Sequence, residues 1–504
     1  MTTILLSSER SILYLNTVLD HSKLFHTVQD ELHIITRESC SELQIKSVNP
    51  SNEKIITEYD VMEKEDIFEI VKKSKEVQRY WKANITKRSD YLQDVATELR
   101  KRKTKLARIA TEEMGKPIKE SISELEKCAW AMEFYADNGE IFLTKESMNS
   151  DARKTIMAFE PLGVIGSIMP WNFPYWQALR FAAPSLVAGN TIVLKPASAT
   201  IHCGLEIQNV LHNAGLPDGV FQTIVGDSSS AESLIDSDIN AVTFTGSVNV
   251  GAKVASRATS QLKKSVLELG GSDPFIVCSD ADVEKASTGA VKGRFINCGQ
   301  SCIASKRFFI IKDVAKEFIE KFVEKTEKLR VGDPLLENTD IGPVVNESGL
   351  NTIQDQIRDA VKNGAELLTG GEKVGSTGYF FKPTILKNIS PKMRIFQEET
   401  FGPLASVMIV EDENEAVRLA NDSPFGLGAT IWTEDLHRAE KLSHEIESGM
   451  VSVNNVLVSD PRVPFGGIKK SGFGRELSRY GMLEFVNIKS IRFYDQLLHN
   501  HHVE

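Results

Sequence analysis

Cysteine is scarce in this chain and never paired in sequence. The six residues among 504 (Cys40, Cys128, Cys203, Cys278, Cys298 and Cys302) form no CxxC, which excludes a disulfide scaffold and predicts free thiols in a reducing compartment. Long apolar runs are missing as well. No window approaches the roughly 20 residues of a membrane span, and the opening MTTILLSSER lacks a basic n-region. The expectation is a cytoplasmic protein with no membrane partner. Charge of one sign is never gathered into blocks, so the net charge of -10 marks neither a nucleic-acid face nor an acidic tail. GxGxxG, Walker A, GxSxG and HExxH are all absent, which removes the commonest nucleotide and hydrolase signatures.

What is present has two rhythms. At 504 residues the chain exceeds one hydrophobic core, and 41% apolar content suffices to fill two or three. From Glu65 to about Ala136 apolar residues recur three and four positions apart, as in YLQDVATELRKRKTKLARIATEEMG, which Gly115 and Pro117 interrupt; this predicts a helical layer. From Gly163 the pattern changes to short apolar runs (GVIGSIM, NTIVLK, GVFQTIV, NAVTFTG, SVLELG) separated by helical stretches with Pro and Gly at the joins. Strand alternating with helix predicts an α/β fold with a parallel, doubly wound sheet. After Gly271 the alternation restarts with DPFIVCS, a helix from about Asp282, KRFFIIK and a helix ending near Leu329, followed by SVMIV, ATIWT and MVSVNN. These predict a second α/β domain. The last strand pattern, LEFVNIKSIRFYD, needs a sheet to join, and an inter-subunit sheet is the expected one. The first 45 residues show little period and fit disorder, an added strand pair or an extended start. No internal repeat or low-complexity tract is found.

Six separated motifs occur in order: MPWNFP (169 to 174), VLKPAS (193 to 198), FTGSVNVG (244 to 251), LELGG (267 to 271), GQSC (299 to 302) and EETFGPL (398 to 404). Together they resemble the aldehyde dehydrogenase superfamily across roughly residues 46 to 496. Within it, ELGGSDPFIV and SDPRVPFGGIKKSGFGREL look like the succinate semialdehyde dehydrogenases. The resemblance implies an aldehyde dehydrogenase-like fold in several parts. A dinucleotide-binding domain (46–150 with 161–268) joins a catalytic domain (269–481), and a β oligomerisation element is made from 151–160 and 482–496. An N-terminal extension (1–45) and a tail (497–504) flank them. It further implies a homo-oligomer, dimer or tetramer, a small-molecule aldehyde substrate, NADP or NAD as cofactor, and no metal.

The same resemblance makes Cys302 the nucleophile. Only a few per cent of an ordinary cysteine is thiolate at neutral pH, yet thiolate sulfur adds readily to an aldehyde carbonyl; the alternative is a small buried hydrophobe. Cys298 is open to the same packing role or to that of a redox partner. Asn172, with the Cys302 backbone N–H, resembles an oxyanion donor set, where one neutral donor contributes about 3 to 4 kcal/mol; otherwise it serves the turn between Trp171 and Pro174. Glu268 resembles the general base for the hydrolytic water, a task open to a carboxylate whose pKa burial has raised; otherwise it is a solvated or N–H-bound strand end. Gly270 and Gly271 after it permit close approach of backbone to a cofactor.

For the cofactor, Gly246 and Gly251 frame a strand-to-helix turn whose helix starts at Ser247 and aims N–H groups at a pyrophosphate. By resemblance Trp171 and Leu269 also line this site, Lys195 holds adenosine ribose hydroxyls, and Glu399 holds the nicotinamide ribose with Phe401 beside it. Surface charge is the alternative for Lys195 and Glu399. Ser198 departs from the Glu that NAD-restricted relatives often carry; a small neutral residue leaves room for a 2′-phosphate beside Lys195, so NADP is expected to be accepted.

A remote carboxylate on the substrate calls for a fixed cation. Arg180, eight residues after Asn172 in PYWQALRF, is the candidate, with Trp176 one turn earlier and Ser459 as a second contact; a helix-surface ion pair is the alternative for Arg180. Some family members place an Arg six residues before the nucleophile. Here that position is Ile296, and Arg294 is out of register. Other aldehydes, a CoA-acylating reaction and a catalytically silent protein of the same fold are the rival readings, and Glu268 argues against the second. His499, His501 and His502 in the tail offer a metal cluster or, more simply, a solvated end.

Overall fold

The computed structural model describes residues 44–494, so the histidines of the tail and the first 43 residues lie outside the described region. Strands β1 (Gln44–Val48) and β2 (Ile55–Asp60) pair with each other and lead into three helices, α1 (Lys64–Trp81), α2 (Ile85–Met114) and α3 (Ile118–Phe142). Asn84 caps α2 by accepting from the N–H of Lys87, and Gly115 ends it in the left-handed conformation at φ 82°, which glycine adopts without a Cβ clash. The helical layer expected from 65 to 136 is therefore three helices.

Next come β3 (Glu146–Met148) and β4 (Lys154–Pro161). The expected strand–helix alternation follows as β5 (Val164–Ile168), α4 (Pro174–Ala188), β6 (Thr191–Lys195), α5 (Ile201–Asn213), β7 (Phe221–Thr223), α6 (Ser228–Asp236), β8 (Ala241–Thr245), α7 (Val248–Thr259) and β9 (Lys264–Glu268). The five strands are buried almost throughout and run parallel in the order β9-β8-β5-β6-β7. The order reverses between β5 and β8, and a doubly wound sheet binds its ligands beyond the strand ends at such a switch.

A second sheet is built from β10 (Asp273–Val277), β11 (Ser305–Ile311), β12 (Glu366–Thr369), β13 (Thr384–Lys387), β14 (Leu404–Val410), β16 (Gly428–Trp432) and β17 (Met450–Val453), in the order β12-β13-β14-β11-β10-β16-β17. All its pairs are parallel except β12 with β13. Helix α8 (Val283–Phe295) and α9 (Lys312–Glu327) cover it through Phe275, Phe295, Phe308, Phe318, Phe322 and Trp432, whose rings pack 5.0 to 6.3 Å apart. Two-residue strands β15 (Phe425–Gly426) and β18 (Ile468–Lys469) pair with each other, and β19 (Gly472–Phe473) adds to the edge of the first sheet with Gly472 opposite Glu268.

The C-terminal strand β20 (Val486–Phe493) pairs antiparallel with β4 along all eight residues, giving the sheet β20-β4-β3. The sheet it joins is formed with β4 of the same chain, so the two segments expected to build the β oligomerisation element come together here. Among the described residues no helix is long and apolar enough to cross a membrane, and Cys128, Cys203, Cys278, Cys298 and Cys302 are free thiols.

Candidate active site

Two edges meet at the site. The first sheet presents the carboxyl ends of its strands, with Trp171 and Asn172 after β5, Lys195 at the end of β6 and Ser198 beyond it, Gly246 and Ser247 after β8, and Glu268 at the end of β9 with Leu269 next. The second sheet presents its opposite edge, because Cys302 precedes β11 and the Gly270–Ser272 segment leads into β10.

Cys302 is held by its backbone. After α8 the chain turns left-handed at Asn297 (φ 51°), Cys298 (φ 55°) and Gly299 (φ 71°). For the two non-glycine residues this conformation costs about 1 to 3 kcal/mol each, so the surroundings must impose it. Arg294, fully buried, donates to the carbonyls of Gly299 (2.9 Å), Ser305 (3.1 Å) and Gly402. The Glu120 carboxylate accepts from the Asn297 N–H at 2.8 Å, and the Asn297 amide donates to the Asn172 carbonyl at 2.7 Å. Lys306 Nζ donates to the carbonyls of Ser301 (3.0 Å) and Cys302 itself (2.7 Å). Burial pushes the Cys302 thiol up to about 11, against the opposing pull of Arg180 and Lys306, so the resting residue is a thiol. Cys298 is buried and held protonated more firmly still.

Asn172 is 3% exposed and its side-chain amide donates to the Gln300 carbonyl at 3.1 Å, two residues before Cys302. A primary amide has two N–H donors, so one anchors the side chain on the nucleophile loop and the second is left for a ligand oxygen. Glu268 is 2% exposed, and neither carboxylate oxygen has a hydrogen-bond partner in the chain. Burial first, then the nearby Glu476 carboxylate, push its pKa well up, while Arg180 and Arg475 pull it back. The paired glycines after it admit protein groups: a Cβ on Gly270 would lie 2.2 Å from Glu399 Oε2, and one on Gly271 would lie 2.9 Å from the Cys302 carbonyl oxygen. Glu399 accepts from the Gly271 N–H at 3.1 Å and pairs with Lys306 at 3.4 Å, while Phe401 meets Trp171 edge-on at 5.6 Å.

On the far side of the first sheet, α7 begins one residue after Ser247, which acts as N-cap without a side-chain hydrogen bond. Its first-turn N–H groups are left for an anion. Gly251 lets this helix lie against Leu269, since a Cβ would come 2.4 Å from the leucine side chain. Lys195 is 7% exposed, makes no ion pair, and is lowered to about 8 by burial despite Asp227 nearby. Ser198 opens a short 3-10 turn, Ser198–Thr200, three residues beyond it. An uncapped helix start, a buried unpaired cation and a small residue beside it fit a dinucleotide with its phosphates. Among the described residues no group of three or more His, Cys, Asp or Glu is placed to hold a metal ion.

Cys302 opens onto a cavity of about 560 Å³, whose walls include Trp176, Arg180, Ser459, Phe465 and Lys127. The sequence candidates for substrate binding are thus brought together. Arg180 differs from the expected free cation: it is 1% exposed, forms an ion pair with the equally buried Glu476, and stacks on Phe465 at 4.6 Å. The pair is internal, because Glu476 follows β19 and folds back onto α4.

Sequence reasoning missed four functional cations and acids. Lys116 pairs with Glu124 inside the protein, and Glu124 accepts the N–H groups of Tyr175 (2.9 Å) and Trp176 (2.8 Å), capping the helix that carries Arg180. Lys306 holds the nucleophile loop, and Lys127 enters the cavity. Lys116 stands between Gly115 and Pro117 where a helix breaks, a signal that marked a turn but not a buried charge.

The aldehyde dehydrogenase family profile matches residues 36–491. A probable succinate-semialdehyde dehydrogenase [NADP(+)] of Synechocystis sp. is 46% identical over 405 residues, 80% of this chain and 89% of that protein. A succinate semialdehyde dehydrogenase [NAD(P)+] of Escherichia coli is 44% identical over 82% of this chain and 90% of its own. Among solved structures, the succinic semialdehyde dehydrogenase of Streptococcus pyogenes in complex with NADP+ superposes with a TM-score of 0.87 at 33% identity, covering 90% of this chain and all of that one. The chain belongs to the aldehyde dehydrogenase family. It is an oxidoreductase by that membership, with the parallel-sheet architecture of its structural relatives.

Proposed function

We propose that this protein oxidises succinate semialdehyde, or a close ω-carboxy aldehyde, to the carboxylic acid with NADP, and with NAD as a second cofactor. The observation that carries this reading is the cavity, in which Cys302 shares walls with Lys127, Arg180 and Ser459. The names of the relatives support the same substrate and cofactor.

Cys302 gives its proton to solvent water and its sulfur adds to the aldehyde carbon. The free Asn172 N–H and the Cys302 backbone N–H receive the oxyanion of the adduct, where preorganised donors act most strongly. A bound oxidised nicotinamide would supply the acceptor for the hydride of the adduct carbon, and Cys302 would keep the acyl group as a thioester. Glu268, once ionised, takes a proton from the water that attacks the thioester; the C–S bond breaks, the acid leaves, and the proton passes from Glu268 to the sulfur, restoring the thiol. Glu399 holds the nicotinamide ribose beside Phe401 and Trp171. Gly246, Ser247, Gly251 and Leu269 form the pyrophosphate turn, and Lys195 and Ser198 accept the adenosine ribose and its 2′-phosphate.

The subunit divides into a cofactor domain (46–150 with 161–268) and a catalytic domain (269–481). The 151–160 and 482–496 segments assemble dimers or tetramers through the β20 edge, where Ile488 and Phe493 are about half exposed. Free thiols support a cytoplasmic setting.

Turnover of succinate semialdehyde, propanal and benzaldehyde, each with NAD and NADP, tests the reading against a Cys302→Ala blank. A large kcat/KM advantage for the semialdehyde with NADP is expected; equal or faster turnover of the neutral aldehydes overturns the substrate assignment and leaves the family standing.

A further inference from the structure

Arg180 is the sequence's cation for an anionic substrate, yet its charge is already balanced by Glu476 within a pair that is buried on both sides. The other basic residues on the cavity wall are Lys119, Lys127 and Lys292. Lys119 is paired with Asp340 at 2.6 Å, and Lys292 is exposed at the last turn of α8. Lys127, on α3, makes no ion pair. The two acids nearest it are engaged elsewhere, Glu124 with Lys116 and Asp460 with Arg462 at 2.6 Å.

The contacts Lys127 does make are those of a poised anion binder. Its Nζ donates to Ser459 Oγ at 2.6 Å and lies over the Trp176 ring at 4.4 Å. Neither contact neutralises it. Around it the buried indole N–H of Trp176 and Nη2 of Arg180 have no hydrogen-bond partner in the chain. Lys127, Ser459, Trp176 and Arg180 all line the cavity that holds Cys302, and of the four only Lys127 brings a charge with no ion-pair partner.

We propose that Lys127 is the specificity-determining residue for the remote carboxylate of the substrate, supplying the unbalanced positive charge while Ser459 and Trp176 fix its position. This rests on the ω-carboxy aldehyde reading above. Burial and the Arg180 charge lower the Lys127 pKa to about 8, with Asp460, Glu124 and Cys128 acting the other way; a bound carboxylate restores the charge that desolvation opposes. Arg180 lines the same wall with its charge balanced by Glu476.

The test compares Lys127→Met, Lys127→Arg and the wild type on succinate semialdehyde and on butanal, a neutral aldehyde of the same chain length. Loss of one charge-assisted contact predicts a rise in KM for the semialdehyde on the order of 10- to 100-fold in Lys127→Met. Little change in kcat, butanal kinetics near wild type and partial rescue by Lys127→Arg are expected with it. Product inhibition by succinate should weaken by a similar factor. Parallel losses on both aldehydes, or an unchanged semialdehyde KM, overturn the assignment. Failure of the underlying substrate reading looks different, because it shows in the wild type as no preference for the semialdehyde over butanal. Unaltered butanal turnover by Lys127→Met also certifies that the variant is folded.

Discussion

Arg180 and Glu476 face each other as a buried ion pair, with side chains 2% and 1% exposed. Removing one member leaves the other as an uncompensated charge in the interior, which costs about 3 to 5 kcal/mol, against about 0 to 1 kcal/mol for deleting a surface pair. Arg180→Ala is therefore expected to lower the thermal transition and to lose activity on neutral and anionic aldehydes alike. Differential scanning calorimetry beside butanal turnover checks this. A variant that keeps its melting temperature and loses only the semialdehyde would show Arg180 to be a dedicated substrate cation instead.

Cys302 gives a prediction in pH. Its thiol is pushed up to about 11, and only the thiolate reacts with alkylating agents. In the enzyme without dinucleotide the thiolate fraction rises about tenfold for each pH unit below that value, so inactivation by iodoacetamide should accelerate with unit slope from pH 7 to 10. Cys302→Ala supplies the background. A rate that levels off near pH 8 would mean that the resting residue is already ionised at neutrality.

Gly270 lies against Glu399 so closely that any side chain must displace the carboxylate, since the added Cβ falls 2.2 Å from Oε2. Glu399 is tied to the Gly271 N–H and to Lys306, which itself holds the Cys302 carbonyl. Gly270→Ala should therefore raise KM for the dinucleotide and lower kcat together, by about tenfold or more, as misplacement of a positioned group does. Unchanged cofactor KM would place the Glu399 carboxylate outside the cofactor site.

Most of the architecture was legible because it depends on local period. The strands from Val164 to Glu268 are short, apolar at most positions and buried almost throughout, with Gly and Pro at the joins, the mark of a parallel sheet buried on both faces. Asn172, Lys195, Ser247 and Glu268 were legible because each stands at a strand end within a motif. Lys127 and Lys306 were not. On sequence alone Lys127 lies in a helix rich in charge, and Lys306 adjoins Arg307 in what resembles a basic surface. Both are drawn inward only by tertiary packing: α3 lies along the cavity, and β11 is the centre of the second sheet with every residue buried. The Arg180–Glu476 pair joins positions 296 apart in the chain, a separation that no local pattern encodes.

Ser198 decides the last prediction. It opens the turn after β6, three residues from Lys195, a buried cation with no ion-pair partner. A phosphate on the adenosine ribose carries nearly two negative charges and gains from that lysine, whereas a carboxylate at position 198 would both neutralise the lysine and repel the phosphate. The 2′-hydroxyl of NAD, by contrast, can donate to such a carboxylate. Ser198→Glu should therefore lower kcat/KM for NADP by about 100-fold or more, the scale of a few kcal/mol for one charge contact changed from attractive to repulsive, while NAD turnover is kept or improved. Steady-state kinetics with each dinucleotide at saturating aldehyde separate the outcomes. Equal losses for both would mean that the substitution distorts the 3-10 turn, and no loss for NADP would place the 2′-phosphate away from Ser198 and Lys195.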